Sequence, residues 1–353
     1  MNFAVDLQPA RVRFGTGARD LLAEECDRLA VERVLLICTP GGAARYRAIA
    51  EALGTRLAAT FAEAEPHCPE PVVERCRALW RSAGADGVVT VGGGSTIALG
   101  KNLTVEEGAK FVCIPTTYSG SEMTDIYGRK VGNEKRTARS VECRAHTVIY
   151  DPELTLGLPR HETVTTGMNS LAHAVEALYP QTANPVAFVL AQEALRAHRD
   201  GLPGAADNPT DITARSRALY AAFLGGLLIG MTGIALHHKL CHVLGGLFDL
   251  PHGETNSVVL SHVVAYNAAA APDAARVIAE VFDDPDPARA IHTFARRIGA
   301  PTSLREIGMP EEGIEAAVSA TLARPGWNPR TPEAAGLRAL LRAAWEGRPP
   351  SRG

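Results

Sequence analysis

Residues 236–253, LHHKLCHVLGGLFDLPHG, hold four of the eleven histidines in this 353-residue chain. On a helix, His238 and His242 lie one turn apart on the same face. His252 follows in a PHG turn. A separate stretch, TTGMNSLAHAVE (165–176), carries His173 four residues after Asn169 on another helical pattern. Imidazoles gathered in this way support two kinds of chemistry. As neutral rings they ligate a divalent cation. As acids and bases they pass protons near neutral pH. A single histidine is more often a hydrogen-bonded core residue, so the set gains weight only from a second motif.

That motif is VVTVGGGSTIALGK (88–101), with Gly92, Gly93, Gly94 and Ser95 between a strand-like run and a helical pattern. Glycine lets backbone N–H groups approach a ligand, and a helix N-terminus offers unpaired donors to a phosphate. The loop is neither GxGxxG nor a P-loop, and a tight turn would look the same in isolation. The strand before it and the helix after it favour pyrophosphate binding. PTTYSGSEMTD (115–125) follows the next strand and offers Thr116, Thr117, Ser119 and Ser121 to ribose or phosphate. Loops at the carboxyl ends of neighbouring parallel strands face one crevice, so the two are expected to converge. The first strand runs into CTPGG, where Thr39 stands in place of an acid that would repel a 2′-phosphate. Discrimination between NADH and NADPH should therefore be weak.

The elements that must position these groups fall into two halves. Runs at 33–38, 87–93 and 111–117 read as buried strands, and 147–154 as a last strand and hinge. Helical patterns at 18–30 and 69–84 alternate with them, the signature of a parallel sheet with crossover helices. After Pro159 apolar residues recur at helical spacing and β-branched runs become rare. The expectation is an α/β Rossmann-like dinucleotide-binding domain over 1–156 and an all-α catalytic domain over 157–353.

Composition narrows the function classes. A net charge of −3, with no dense basic run and 5% aromatics, argues against nucleic acid. The start, MNFAVDLQPARVRFG, carries charge and has no apolar core, so it does not read as a signal peptide, and a cytoplasmic location is expected. The apolar run at 218–236 is about long enough to span a bilayer. It contains four glycines and is flanked by Arg217 and by His237, His238 and Lys239, and reads better as a buried helix than as a membrane segment. Seven dispersed cysteines without a CxxC fit reduced thiols.

In order, GGGST, PTTYSGSEMT, GMNSLAHAVEA and HHKLCHVLGGLFDLPHGE resemble the iron-containing alcohol dehydrogenase superfamily. Within it the chain is similar to the maleylacetate reductases, and the likeness runs from RVRFGTGA (11–18) to RIGAPTSLREIGMPEEGI (297–314). The resemblance implies a dehydroquinate synthase-like fold, a homodimer, and NADH or NADPH as cofactor. It further implies reduction of the conjugated double bond of maleylacetate to 3-oxoadipate in aromatic-compound degradation, with a small dicarboxylate as partner. The metal-dependent members use one Asp and three His, which by position correspond to Asn169, His173, His238 and His252. Asn169 replaces the acid, and an amide oxygen is a poorer ligand than a carboxylate. No metal is therefore expected. His242 and His238 are the candidates to steady the developing charge and deliver the proton, with His173 and His252 shaping the pocket.

Lys135 resembles a family lysine near the cofactor. Tyr118, Ser119 and Lys239 are candidate substrate contacts, and Arg136 and Arg330 are alternatives for a carboxylate, each more readily read as a surface charge. Two departures, the charged segment 125–139 and Gly253 in place of the more usual Ala, point to a changed substrate as an alternative. A metal-dependent alcohol or aldehyde dehydrogenase, a dinucleotide sensor without catalysis and a metal-dependent lyase of the same fold are the remaining alternatives.

Overall fold

The computed structural model describes residues 10–132, 134–181 and 184–351, without the side chain of Lys135. The chain divides into two compact units, one within Gln8–Leu158 and one within Pro159–Gly353.

In the first unit, the apolar runs 34–37, 87–92, 111–115 and 147–150 form strands buried on both faces, as the inner strands of a parallel sheet require, and the two edge strands are more exposed. The elements in order are β1 (Arg11–Phe14), α1 (Leu22–Arg28), β2 (Val34–Ile37), α2 (Gly42–Arg45), α3 (Arg47–Leu53), β3 (Leu57–Phe61), α4 (Glu70–Ala83), β4 (Gly87–Gly92), α5 (Gly94–Glu107) and β5 (Lys110–Pro115). A hairpin of β6 (Ile126–Val131) and β7 (Glu134–Arg139) and a last strand, β8 (Thr147–Tyr150), complete it. Six strands form one parallel sheet in the order β1-β8-β5-β4-β2-β3. The chain leaves β2 outward to β3 and returns to β4 on the other side. The switch point of this sheet, where ligands of open α/β folds bind, therefore lies between β2 and β4.

Four strands, β1, β3, β6 and β7, went unread in the sequence. β1 (RVRF) carries two arginines, both on Glu25, so its alternation does not look apolar. The charged segment 125–139, read above as a sign of a changed substrate, is largely the antiparallel β6–β7 hairpin. Its charges are paired locally: Arg139 with Asp125 at 3.0 Å, Arg129 with Glu106, and Arg136 with Glu134 on its own strand.

The second unit is helical, with no strand among the described residues. Its helices are α6 (Arg160–Glu176), α7 (Pro185–Asp207), α8 (Ile212–Thr232), α9 (Leu236–Phe248), α10 (His252–Asn267), α11 (Pro272–Phe282), α12 (Pro287–Ile298), α13 (Gly313–Ala323) and α14 (Ala334–Glu346). α8 is long and apolar enough to cross a membrane by length and composition, and it packs against α6 and α7. Leu219, Ala222, Leu228 and their neighbours on it are buried. His252 is not in a turn: it is the first residue of α10, with Pro251 as N-cap.

Candidate active site

Each unit contributes one set of functional groups. In the α/β unit, the register of the sheet brings the expected cofactor loops together. Ile37 pairs with Thr90 and Gly92 with Pro115, so Thr39, the Gly92–Ser95 loop and Thr116 emerge at the same end of adjacent strands. The Thr116 N–H donates to the Gly92 carbonyl at 3.0 Å. A Cβ on Gly93 would sit 2.8 Å from Thr117 Cγ2, so only glycine lets the two loops approach this closely. A Cβ on Gly94 would meet nothing within 4 Å. Gly93, the N-cap of α5, brings no capping side chain. First-turn N–H groups of a 14-residue helix, in front of open space, fit a dinucleotide pyrophosphate.

The loop after β5 is held by a residue that the sequence analysis did not single out. Lys101, on α5, is buried, and its Nζ donates to the carbonyls of Ser121 (2.7 Å), Thr124 (2.8 Å) and Ile126 (2.7 Å) and to Thr124 Oγ1 (2.8 Å). Four oxygens satisfy one ammonium, and the start of the hairpin is thereby fixed beneath the loop. Ser119 and Thr117 lie side by side, Oγ to Oγ1 at 3.5 Å. Tyr118 departs from the expectation of a substrate contact. It is fully buried, and its hydroxyl donates to Thr155 Oγ1 at 3.2 Å, so it is a packing residue. Lys135 pairs through its backbone with Lys130, and its side chain lies outside the described residues.

In the helical unit, α6, α9 and α10 gather five histidines. His173 stacks on His238, with centroids 4.7 Å apart, and His238 meets His237 edge-on at 4.9 Å. His242 lies 6.5 Å from His238 and stacks on His252 at 6.0 Å. The cluster is graded: His173, His237 and His238 are buried, whereas His242 and His252 are exposed. Gly253 has a packing reason. A Cβ there would lie 2.9 Å from Thr165 Cβ on α6, so glycine lets the first turn of α10 bring His252 against that helix. Lys239 is half-buried, and its ammonium makes no hydrogen bond or ion pair among the described residues. Arg330 stacks on Tyr266 at 4.1 Å and donates to its carbonyl, and Arg136 is an exposed surface pair.

One carboxylate in this cluster was missed. Glu176, the last residue of α6, is buried and accepts from the backbone N–H groups of Ala235 (3.0 Å) and His237 (2.8 Å) and from His238 Nδ1 (2.7 Å). Asn169, His173 and Glu176 recur at i, i+4 and i+7, a spacing that puts them on one face and that could have exposed it. Burial pushes the Glu176 carboxyl up. His238, with its charge and hydrogen bond, then His237 and the Ala235 N–H, outweigh that, so it sits below the usual carboxylate range. Burial holds His173 well below an ordinary histidine, reinforced by His238, His252, His237 and His198. His237 is pushed down to about 3, mainly by burial and then by His238.

Ligand-type atoms of Glu176, His237 and His238 lie within 4.8 Å of one another. They form a hydrogen-bonded unit already: both Glu176 oxygens are committed, and His237 Nε2 is 3.0 Å from the Asn256 carbonyl. The positions that match the ligands of metal-dependent relatives supply an amide and three imidazoles, with no anion. Without the anion, that set is a poorer divalent-metal site than an Asp with three His, although three imidazoles remain a zinc-type donor set.

Residues 9–152 match the family described as iron-containing alcohol dehydrogenase, and 163–345 match the Fe-containing alcohol dehydrogenase family, C-terminal. The chain belongs to the iron-containing alcohol dehydrogenase family. Among members of that family, it is 44% identical over 348 residues to a maleylacetate reductase of Rhizobium sp. (strain MTP-10005), covering 99% of each chain. The crystal structure of that reductase superposes with a TM-score of 0.95 over 99% of this chain and 100% of the other. A maleylacetate reductase from Agrobacterium tumefaciens gives a TM-score of 0.96 at 42% identity, covering 99% and 100%. One from Pseudomonas aeruginosa is 43% identical over 99% of this chain and 100% of its own length. This family assignment agrees with the α/β-plus-helical architecture expected from the sequence.

Proposed function

We propose that the protein reduces the conjugated carbon–carbon double bond of maleylacetate to give 3-oxoadipate, in the degradation of aromatic compounds. The observation that carries this reading is the identity of 44% to a maleylacetate reductase across the whole chain. The geometry supports it through a glycine loop at the sheet's switch point and a histidine cluster in which an amide, Asn169, takes the position of the metal-dependent members' anion. When bound, the dihydronicotinamide of NADH or NADPH supplies a hydride to the carbon β to the ketone. The chain's own residues do the rest.

The N-terminus of α5 at Gly93, Gly94 and Ser95 holds the pyrophosphate, with Gly92 supplying the turn. Thr116, Thr117 and Ser121 donate to the sugar and phosphate oxygens. Thr39, at the end of β2, offers no charge to repel a 2′-phosphate, so either cofactor is accepted. In the helical unit, hydride addition leaves negative charge on the ketone oxygen of the substrate. A preorganised donor to such an oxygen is worth about 3 kcal/mol. His238 and His242 supply that donor and the proton that goes to the α carbon. One hydride and one proton thus add across the double bond. An imidazolium at His238 faces the Glu176 carboxylate, whereas one at His173 would face other imidazoles. His173 therefore stays neutral and, with His252 and Asn169, shapes the pocket. Lys239 is the cation this unit offers to a substrate carboxylate.

The test is oxidation of NADH and of NADPH with freshly prepared maleylacetate, with 3-oxoadipate identified by mass. Turnover with both cofactors is expected. Turnover of simple aldehydes, with none of maleylacetate, would overturn the reading.

A further inference from the structure

Of the five clustered histidines, His242 and His252 are exposed and His173, His237 and His238 are buried, and the His238 ring meets a carboxylate. Glu176 closes α6, and its oxygens reach the start of α9: Oε1 accepts from His237 N and Oε2 from Ala235 N and His238 Nδ1. Ala235 is the N-cap of α9 and supplies no capping side chain, so Glu176 takes that role from another helix. An anion at a helix N-terminus is favourably placed. The same carboxylate can only accept, so His238 Nδ1 must carry the hydrogen of that bond. The other ring nitrogen, Nε2, is buried and has no hydrogen-bond partner among the described residues.

Among the described residues, no other buried histidine combines these features. His237 spends Nε2 on the Asn256 carbonyl. His198 spends Nδ1 on the Ala194 carbonyl and Nε2 on Ser170 Oγ. His173 has an unpartnered Nδ1, but stacks on His238 and meets no carboxylate. We infer that Glu176 is a positioning residue: it locks the His238 tautomer and ring, and so selects His238 Nε2 as the nitrogen that serves the substrate. The catalytic part of this inference rests on the function proposed above; the tautomer does not.

In the reaction, a protonated His238 gives the hydrogen on Nε2 to the substrate. It is left as the neutral Nδ1–H form that Glu176 already holds. No proton moves to Glu176, and the remaining balance is the hydride and proton given above.

Glu176→Gln keeps the size but replaces one acceptor oxygen by a donor, so the three N–H groups can no longer all be satisfied. Its kcat on maleylacetate should fall by about 10²–10⁴-fold. The KM values for maleylacetate and NADH should stay within about threefold. Glu176→Asp, which keeps the charge, should recover part of the loss. In a His238→Ala background, Glu176→Gln should cost nothing further, because its effect runs through His238. A purely structural role would instead give the same additional loss in both backgrounds, and that result would overturn the inference. So would wild-type-like kcat in a folded Glu176→Gln protein.

Nitrogen-15 NMR of the histidine rings in the wild-type protein, without substrate, reads the tautomer directly. Neutral His238 should carry its proton on Nδ1, and a proton on Nε2 would refute the lock. That measurement stands even if Glu176→Gln fails to fold. It also separates the two readings: a wild-type protein inactive on maleylacetate, with the Nδ1–H tautomer intact, would sink the substrate and not the lock.

Discussion

The two units carry their candidate groups by different means. The α/β unit presents backbone: three glycines, the first turn of α5, and a loop whose carbonyls are gathered on Lys101. The helical unit presents side chains: five imidazoles in ring contact, with one carboxylate behind them. A backbone cradle needs small residues and open space, and its chemistry is largely indifferent to which side chains surround it. A side-chain cluster depends on individual nitrogens, their tautomers and their charges. Substitutions in the first unit should therefore change how tightly the cofactor binds, and substitutions in the second should change the rate of the chemical step.

The largest effect is expected from His238→Ala. Removing a general acid typically costs about 10²–10⁴ in rate. The loss should appear in kcat by steady-state kinetics, with the dissociation constant for NADH unchanged. A matching loss of cofactor affinity would break the division between the units.

Acid should separate the units next. Burial pushes His198 and His262 down to about 4 and His237 to about 3, and it lowers His173 and His292 as well. All five lie in the helical unit; in the α/β unit burial lowers His146 as well. An unfolded histidine takes up a proton near pH ~6.5. These folded rings do so only at lower pH, so the unfolded state binds more protons in between. Their stabilisation is present above pH ~6.5 and is lost as the pH falls toward 4 and below. Glu25 acts lower still. Burial raises it, but hydrogen bonds from Arg13, Arg28, Arg11 and Thr147 bring it down to about 2. Its contribution is present above an unfolded value of ~4.3 and fades as the pH drops through about 2. Hydrogen exchange read by mass spectrometry from pH 7 downward should show α6–α12 opening before the sheet. Simultaneous opening would contradict the assignment.

The smallest effect sharpens the cradle. Gly94→Ala adds a Cβ where no protein atom lies within 4 Å, so the melting temperature should hold. If the pyrophosphate lies against that turn, the NADH dissociation constant should rise roughly tenfold, about 1.4 kcal/mol. Unchanged affinity would place the phosphates elsewhere.

The parts legible in the sequence follow the same division. Buried parallel strands are continuous apolar runs, so β2, β4, β5 and β8 announced themselves, as did the glycine loop between β4 and α5. The β6–β7 hairpin did not, because its charged residues pair with neighbours such as Glu106 that only the fold brings near. The histidines were visible by spacing, since His238 and His242 share one helix face. Glu176 was hidden in plain view: it lies three residues after His173, but its partners sit about sixty positions away on α9. Tyr118 shows the limit from the other side. Its place in a Ser/Thr-rich loop suggested a ligand contact, and only packing reveals that it is fully buried against Thr155.

The central claim is that imidazole protons, with Glu176 behind them, carry the charge that a cation carries in metal-dependent members of this family. The most direct test is the metal content of purified, active protein, measured alongside maleylacetate reduction before and after exhaustive treatment with a chelator. Full activity with far less than one transition-metal ion per chain is the predicted result. A stoichiometric ion, with activity lost on its removal and restored on its return, would contradict the account.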